Sequence, residues 1–175
     1  MSASYTVIIR VRQHFGDKPG TFSQFPFGVT IDDFGGASVP SAAGSAPFVG
    51  ATKDYSFDCP GVNRGSESIL MFQTLGVQHE GNLIAVNPDS APQPSVFGGI
   101  PVIPAPSGVL PTWSANVLLV GPGVLRETAN VLRIESRPLA GATNELDDFV
   151  IDNVVLMYTT RSGFKLPLRR RTKRA

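Results

Sequence analysis

The period of the apolar residues restricts this fold more than any other feature. No stretch of the 175 residues keeps a 3.6-residue apolar repeat. Short runs with apolar residues at every second position recur instead, separated by Gly- and Pro-containing breaks. Residues 125–158, LRETANVLRIESRPLAGATNELDDFVIDNVVLMY, are the most readable case: two strands, at 131–135 and 149–159, joined by a polar, Gly-containing loop. A chain built from such runs folds as packed sheets.

The remaining strands follow from the same reading. In residues 5–12, YTVIIRVR, alternation places Tyr5, Val7, Ile9 and Val11 on one face and Thr6, Arg10 and Arg12 on the other. A strand over 55–59 ends at Pro60-Gly61, and a short one is read at 29–32. Residues 68–75, SILMFQTL, are apolar on both faces over 69–72, which predicts a central strand. With residues 82–87, NLIAVN, beyond a turn at Gly81, they read as a hairpin. Proline is too frequent in 88–112 for a central strand, so an edge strand near Val102-Ile103 is expected there, followed by a strand over 113–120, WSANVLLV. The expected fold is all-β, a two-sheet antiparallel sandwich of roughly eight to ten strands over residues 1–160, with a basic tail at 161–175.

Composition bounds the function. With 42% hydrophobic residues and 17% charged, the chain can bury a core without disulfides, and its one cysteine, Cys59, forms no framework. The net charge of +1 hides an asymmetry. Arg169, Arg170, Arg171, Lys173 and Arg174 crowd into residues 169–174, and without those six positions 10 basic residues stand against 14 acidic ones, a net −4. The tail suits an acidic partner or nucleic acid by charge alone, or is a solvated terminus. The first residues, MSASYTVIIRVR, show no secretory signal, and no run of about 18 apolar residues spans a membrane. The expected location is cytoplasmic or within an assembled particle.

The second half carries a resemblance. The strand ending in Val86-Asn87 looks like the "x-V-N-G" strand of galactose-binding-domain-like jelly rolls. Residues 113–134, from Trp113 through Leu125 and Asn130 to Ile134, resemble their "W…V.V…L..G.N.L.I" segment. Residues 149–156, FVIDNVVL, resemble the closing "F.IDNI.L" strand of many carbohydrate-binding jelly rolls. The likeness covers about residues 67–158. Two departures stand out: Pro88 replaces the expected Gly after Asn87, and Ala129 replaces the Gly before Asn130. The resemblance implies a jelly-roll sandwich with first and last strands side by side. It covers lectins, accessory modules of enzymes and structural parts of phages and other large assemblies, and fold analogy does not choose among them.

Each candidate site has two readings. Glu145, Asp147 and Asp152 are candidate ligands of a structural Ca²⁺, which takes several oxygens and which related jelly rolls often hold near this strand. Alternatively the acidic residues cap a strand and hydrogen-bond within the sheet, the preferred reading since no fixed ligand spacing is present. Asp152, among apolar neighbours, requires a partner, and Arg10, Arg12 or Arg133 can supply one. Trp113, Tyr55 and Asn87 are the candidate ligand-binding residues for a sugar, although Trp113 is preferred as a packed residue. His14 and His79 have no Cys or second His at zinc-ligand spacing, and neither a Gly-x-Ser-x-Gly nor a phosphate loop occurs.

The expected function is therefore a non-catalytic binding or interaction module, foremost a structural or assembly subunit forming a homo-oligomer or larger particle. Its contacts would run through apolar loop residues Phe22, Phe25, Phe27, Phe48, Phe97, Ile100, Val102 and Ile103 and through the tail. A lectin-like carbohydrate-binding module is the alternative, and an accessory domain of an enzyme the third choice.

Overall fold

The computed structural model describes residues 2–17, 48–78, 80–89, 95–102, 113–138 and 145–163, of which 95–98 are described by backbone alone. Ten strands occur among them: β1 (Ser2–Ile9), β2 (Gln13–Phe15), β3 (Phe48–Gly50), β4 (Thr52–Phe57), β5 (Ser68–Leu75), β6 (Leu83–Val86), β7 (Ser95–Gly99), β8 (Ser114–Val120), β9 (Asn130–Glu135) and β10 (Phe149–Thr160). They form two sheets, so the all-β, sandwich-like expectation holds. The six-stranded sheet runs β3-β2-β10-β5-β8, with β1 beside β2 along the same edge of β10; the four-stranded sheet runs β4-β9-β6-β7. Every pairing is antiparallel except the short β2–β3 pair. The first and last strands lie side by side, Ser2 opposite Thr160 and Tyr5 opposite Met157.

One face of each sheet supplies the core. Leu70 and Phe72 of β5 and Ile151, Val154 and Leu156 of β10 share one buried cluster with Ile84 and Val86 of β6 and Leu132 and Ile134 of β9. Phe15 stacks on Phe149 at 5.5 Å between ring centroids. Cys59 is wholly buried here, and burial, with the charge of Asp58 adding to it, pushes its thiol up to about 12. It behaves as a small apolar residue.

Several expectations change. β5 and β6 do not form a hairpin, because β5 belongs to the six-stranded sheet and β6 to the four-stranded one. The connection crosses the sandwich so that the apolar face of each strand covers the other. Alternation also fails as a guide to sidedness at two bulges. In β1 the register shifts between Val7 and Ile9, so Tyr5 is exposed while Ile9 is buried. In β10 the shift falls between Asp152 and Val155. Phe149 and Ile151 therefore join the core with Val154, Leu156 and Tyr158, not with Val155 and Met157. Asn153 takes a left-handed backbone (φ 51°) at this bulge, its N–H bonded to the Asp152 carboxylate at 2.8 Å. The edge strand expected near Val102-Ile103 is β7, earlier in the chain, and Ile103, the strand read at 29–32 and the tail beyond residue 163 lie outside the described residues.

One departure from the resembled motif, Ala129, lies beside a clamp of two asparagines. Asn87 (φ 51°) donates its amide to Val124 O (2.8 Å) and Asn130 Oδ1 (3.0 Å) and accepts from Val131 N (2.8 Å). Asn130 accepts from Arg126 N and donates to Arg126 O, each at 2.8 Å. This turn requires a left-handed residue before Asn130, and Ala129 takes that conformation (φ 56°), its N–H bonded to Asp58 Oδ1 at 2.9 Å. The Cβ of an L-residue is strained there, whereas glycine is not. Ala129→Gly is expected to stabilise the fold by about 1 kcal/mol and to raise Tm by about 3 °C. Thermal denaturation of the pair checks this, and a lower Tm in the variant would contradict the strain.

Candidate functional site

The outer faces of the two sheets differ in kind. On the four-stranded sheet the exposed side is polar. Arg133 of β9 grips Asp54 of β4 with two bonds (2.8 and 2.9 Å) and also bonds Asp89. The guanidinium beside Asp54 holds that carboxyl below its usual range. Glu135 pairs with Arg137 nearby.

On the six-stranded sheet the outer side is apolar. Residues directly opposite in a ladder share a face. Tyr5, Met157, Ile69 and Leu119 are such successive partners and form one row across β1, β10, β5 and β8. Val7, Val155, Met71 and Val117 form the next row. Tyr5 is 68% exposed, Val117 63% and Leu119 59%, with Ile69 and Met157 near 38–39%. Each row spans about 14 Å at ordinary strand spacing. The five most exposed of these side chains offer roughly 500 Å² of apolar surface, near the upper end of what monomers leave in one patch.

A polar group borders the rows along the strands. Arg12 lies 3.6 Å from the Asp152 carboxylate, with its guanidinium 5.4 Å from the centre of the Trp113 ring. Asp152 is opposite Gln73, whose Oε1 accepts from Asn153 Nδ2 at 2.8 Å. The partner expected for Asp152 is thus Arg12. Trp113 is 39% exposed rather than packed in the core, because the residues of β8 that turn inward are Asn116, Leu118 and Val120.

The other candidate residues fall elsewhere. Tyr55 points between the sheets and donates to Gln13 Oε1 at 3.4 Å, an oxygen also bonded by Lys53 at 3.1 Å. Burial pushes its hydroxyl well above the usual phenol range. Asn87 is buried, and its amide is used by the clamp. The three proposed cation ligands are not brought together: Glu145 is exposed, Asp152 serves Arg12, and Asp147 is wholly buried. Asp147 Oδ2 accepts from Gln78 N (2.9 Å) and Asn82 Nδ2 (2.5 Å). Among the described residues no three His, Cys, Asp or Glu side chains cluster as a metal site. Arg169, Arg170, Arg171, Lys173 and Arg174 lie outside the described residues, as do His79, Phe22, Phe25 and Phe27.

The loop residues expected to make contacts give a mixed outcome. Ile100 and Val102 belong to or pack on the core, whereas Phe48 is exposed and meets the buried His14 ring edge-on at 5.0 Å. The surface sequence reasoning missed is the pair of apolar rows. Its signal was present in β5, β8 and β10, where apolar residues occupy both faces, a pattern that also describes a strand buried on both sides.

No family model matches the chain, and no curated protein or solved structure is significantly similar to it. Among the described residues no helix is long and apolar enough to cross a membrane.

Proposed function

We propose that this chain is a non-catalytic assembly subunit, built on a jelly-roll scaffold of the galactose-binding-like type, that associates through the outer face of its six-stranded sheet. The observation that carries the reading is the contrast between the two outer faces. The same chain covers one sheet with a charged network and leaves the other with two unbroken apolar rows. Uncovered apolar surface of this size costs free energy in water, and contact with another surface removes that cost. The basic tail adds an electrostatic contact to an acidic partner or nucleic acid.

A lectin-like module is the second reading, favoured by Trp113 lying exposed against Arg12, which in turn meets the Asp152 carboxylate. Arg12 already covers one side of that ring, which removes part of the stacking platform a sugar would use. The assembly reading has the larger surface behind it.

Static light scattering of the purified chain is expected to give a mass that is a multiple of 18.6 kDa and rises with concentration. A monomer at every concentration overturns self-assembly. Glycan-array binding lost in Trp113→Ala would instead establish the sugar reading.

A further inference from the structure

We propose that two copies of this chain join edge to edge through β8, so that their six-stranded sheets continue as one. The proposal rests on the assembly reading above and adds a second contact to it, at the edge of the same sheet.

Unpaired strand edges invite pairing, and proteins blunt them with charge, proline, bulges or shortness. The other edges here are blunted. β4 carries Lys53 and Asp54, β3 has three residues, and the pairing of β7 with β6 shifts register between Leu83 and Ile84. β1 is broken by the shift between Val7 and Ile9 and is followed by Arg10 and Arg12. β8 has none of these devices. Its seven residues, SANVLLV, are free of charge, proline and glycine, and their register with β5 is unbroken from Ser114 to Val120. Nothing among the described residues pairs with its outer edge.

The occupant that fits is β8 of a second copy. An uncharged strand meets its own antiparallel copy without repulsion, which is what a two-fold contact requires. Centred on the middle residue, the pairing sets Val117 beside its own copy and Ala115 beside Leu119 of the second chain. The edge contact also enlarges the apolar face. One chain offers roughly 500 Å² of apolar face, short of the ~800 Å² per partner of a standard interface. Joining two sheets at β8 carries the row of Val7, Val155, Met71 and Val117 through the axis into its copy, and the pair presents a combined face of roughly 1,000 Å², above that size and open to a further contact.

Two measurements on the whole chain test the contact. Hydrogen exchange of the parent protein is expected to show the alternate β8 amides that do not bond β5 protected at least tenfold more at high than at low concentration. Val117→Lys places like charges side by side at the axis and is expected to reduce the mass from two chains to one, the exposed position leaving the fold intact by circular dichroism. Tyr5→Lys, on the same face but at the far side of the sheet, is expected to keep the pair. An oligomer whose outward β8 amides stay unprotected, or one that dissociates with Tyr5→Lys and survives Val117→Lys, overturns the edge contact while leaving assembly standing. A parent chain that is monomeric at every concentration overturns both.

Discussion

Asp147→Ala is expected to lower the unfolding free energy by about 4 kcal/mol, because it strands one buried and one part-buried donor at about 1–3 kcal/mol each. The two donors are Gln78 N–H and Asn82 Nδ2, 69 and 65 residues away in the chain. Asn82 extends the tie, since its Oδ1 accepts from Arg137 N and its backbone oxygen from Ile100 N. The backbone around Asp147 closes the loop: its N–H bonds Arg137 O and its carbonyl accepts from Ser136 Oγ. One carboxylate thus fastens the β5–β6 connection, the end of β7 and the β9–β10 connection. For a domain with 5–15 kcal/mol of stability this is a large share, and Tm should fall by roughly 10 °C. Asp147→Asn keeps an acceptor oxygen of the same shape and loses only the charge assistance, so its loss should be near 1–2 kcal/mol. Chemical denaturation of the three proteins gives the order. EDTA is expected to leave the Tm of the parent chain unchanged, since the donors at Asp147 Oδ2 are protein groups. A Tm that EDTA lowers in the parent but not in Asp147→Ala would show that a cation is what Asp147 holds.

How much of this was legible from the chain follows the range of each interaction. Strand existence is local. The alternation of NVLRIE and the long apolar run of FVIDNVVLMYTT suffice to find β9 and β10. Sidedness is local only until a bulge intervenes. Asp152-Asn153 moves the core positions of β10 by one residue, and no count of alternating residues reports a bulge. Sheet membership is not local at all: β5 and β6 follow each other closely, yet the partners that place them, β10 and β9, lie far along the chain. The candidate site divides the same way. Asp152 required a cation, and the sequence offered three arginines; only the fold brings up Arg12. Asp147 reads as a strand cap or a cation ligand in an acidic loop because its partners are remote. The apolar rows were visible as residues but not as a surface. A strand apolar on both sides is buried twice in one fold and exposed once in another, and here nothing within the chain's described residues covers Tyr5, Val117 and Leu119.

Gly99→Ala is expected to cost about 3 kcal/mol, the upper part of the range for forcing an extra methyl into a packed site. A Cβ built on Gly99 falls 1.5 Å from Glu80 O and 2.7 Å from Glu80 C, with Asn82 O at 3.5 Å. Glu80 contributes backbone here, so no rotamer change relieves the clash, and either β7 or the turn before β6 must move. The register already breaks at this point: Leu83 faces Gly99, but Ile84 faces Phe97. Moving β7 also strains the neighbouring bond from Ile100 N to Asn82 O (2.7 Å), and through Asn82 the tie to Asp147. Gly121 is the control. Its Cβ would meet nothing within 4 Å, and Gly121 is not among the residues with positive φ. Gly121→Ala is therefore expected to be neutral or stabilising by up to about 1 kcal/mol through the unfolded chain. Urea denaturation of both variants separates the causes. If Gly99→Ala unfolds no more readily than Gly121→Ala, β7 is not held as close to Glu80 as described. If it loses about 3 kcal/mol while Gly99→Ser, with the same Cβ, loses at least as much, close backbone approach is the reason a glycine stands there.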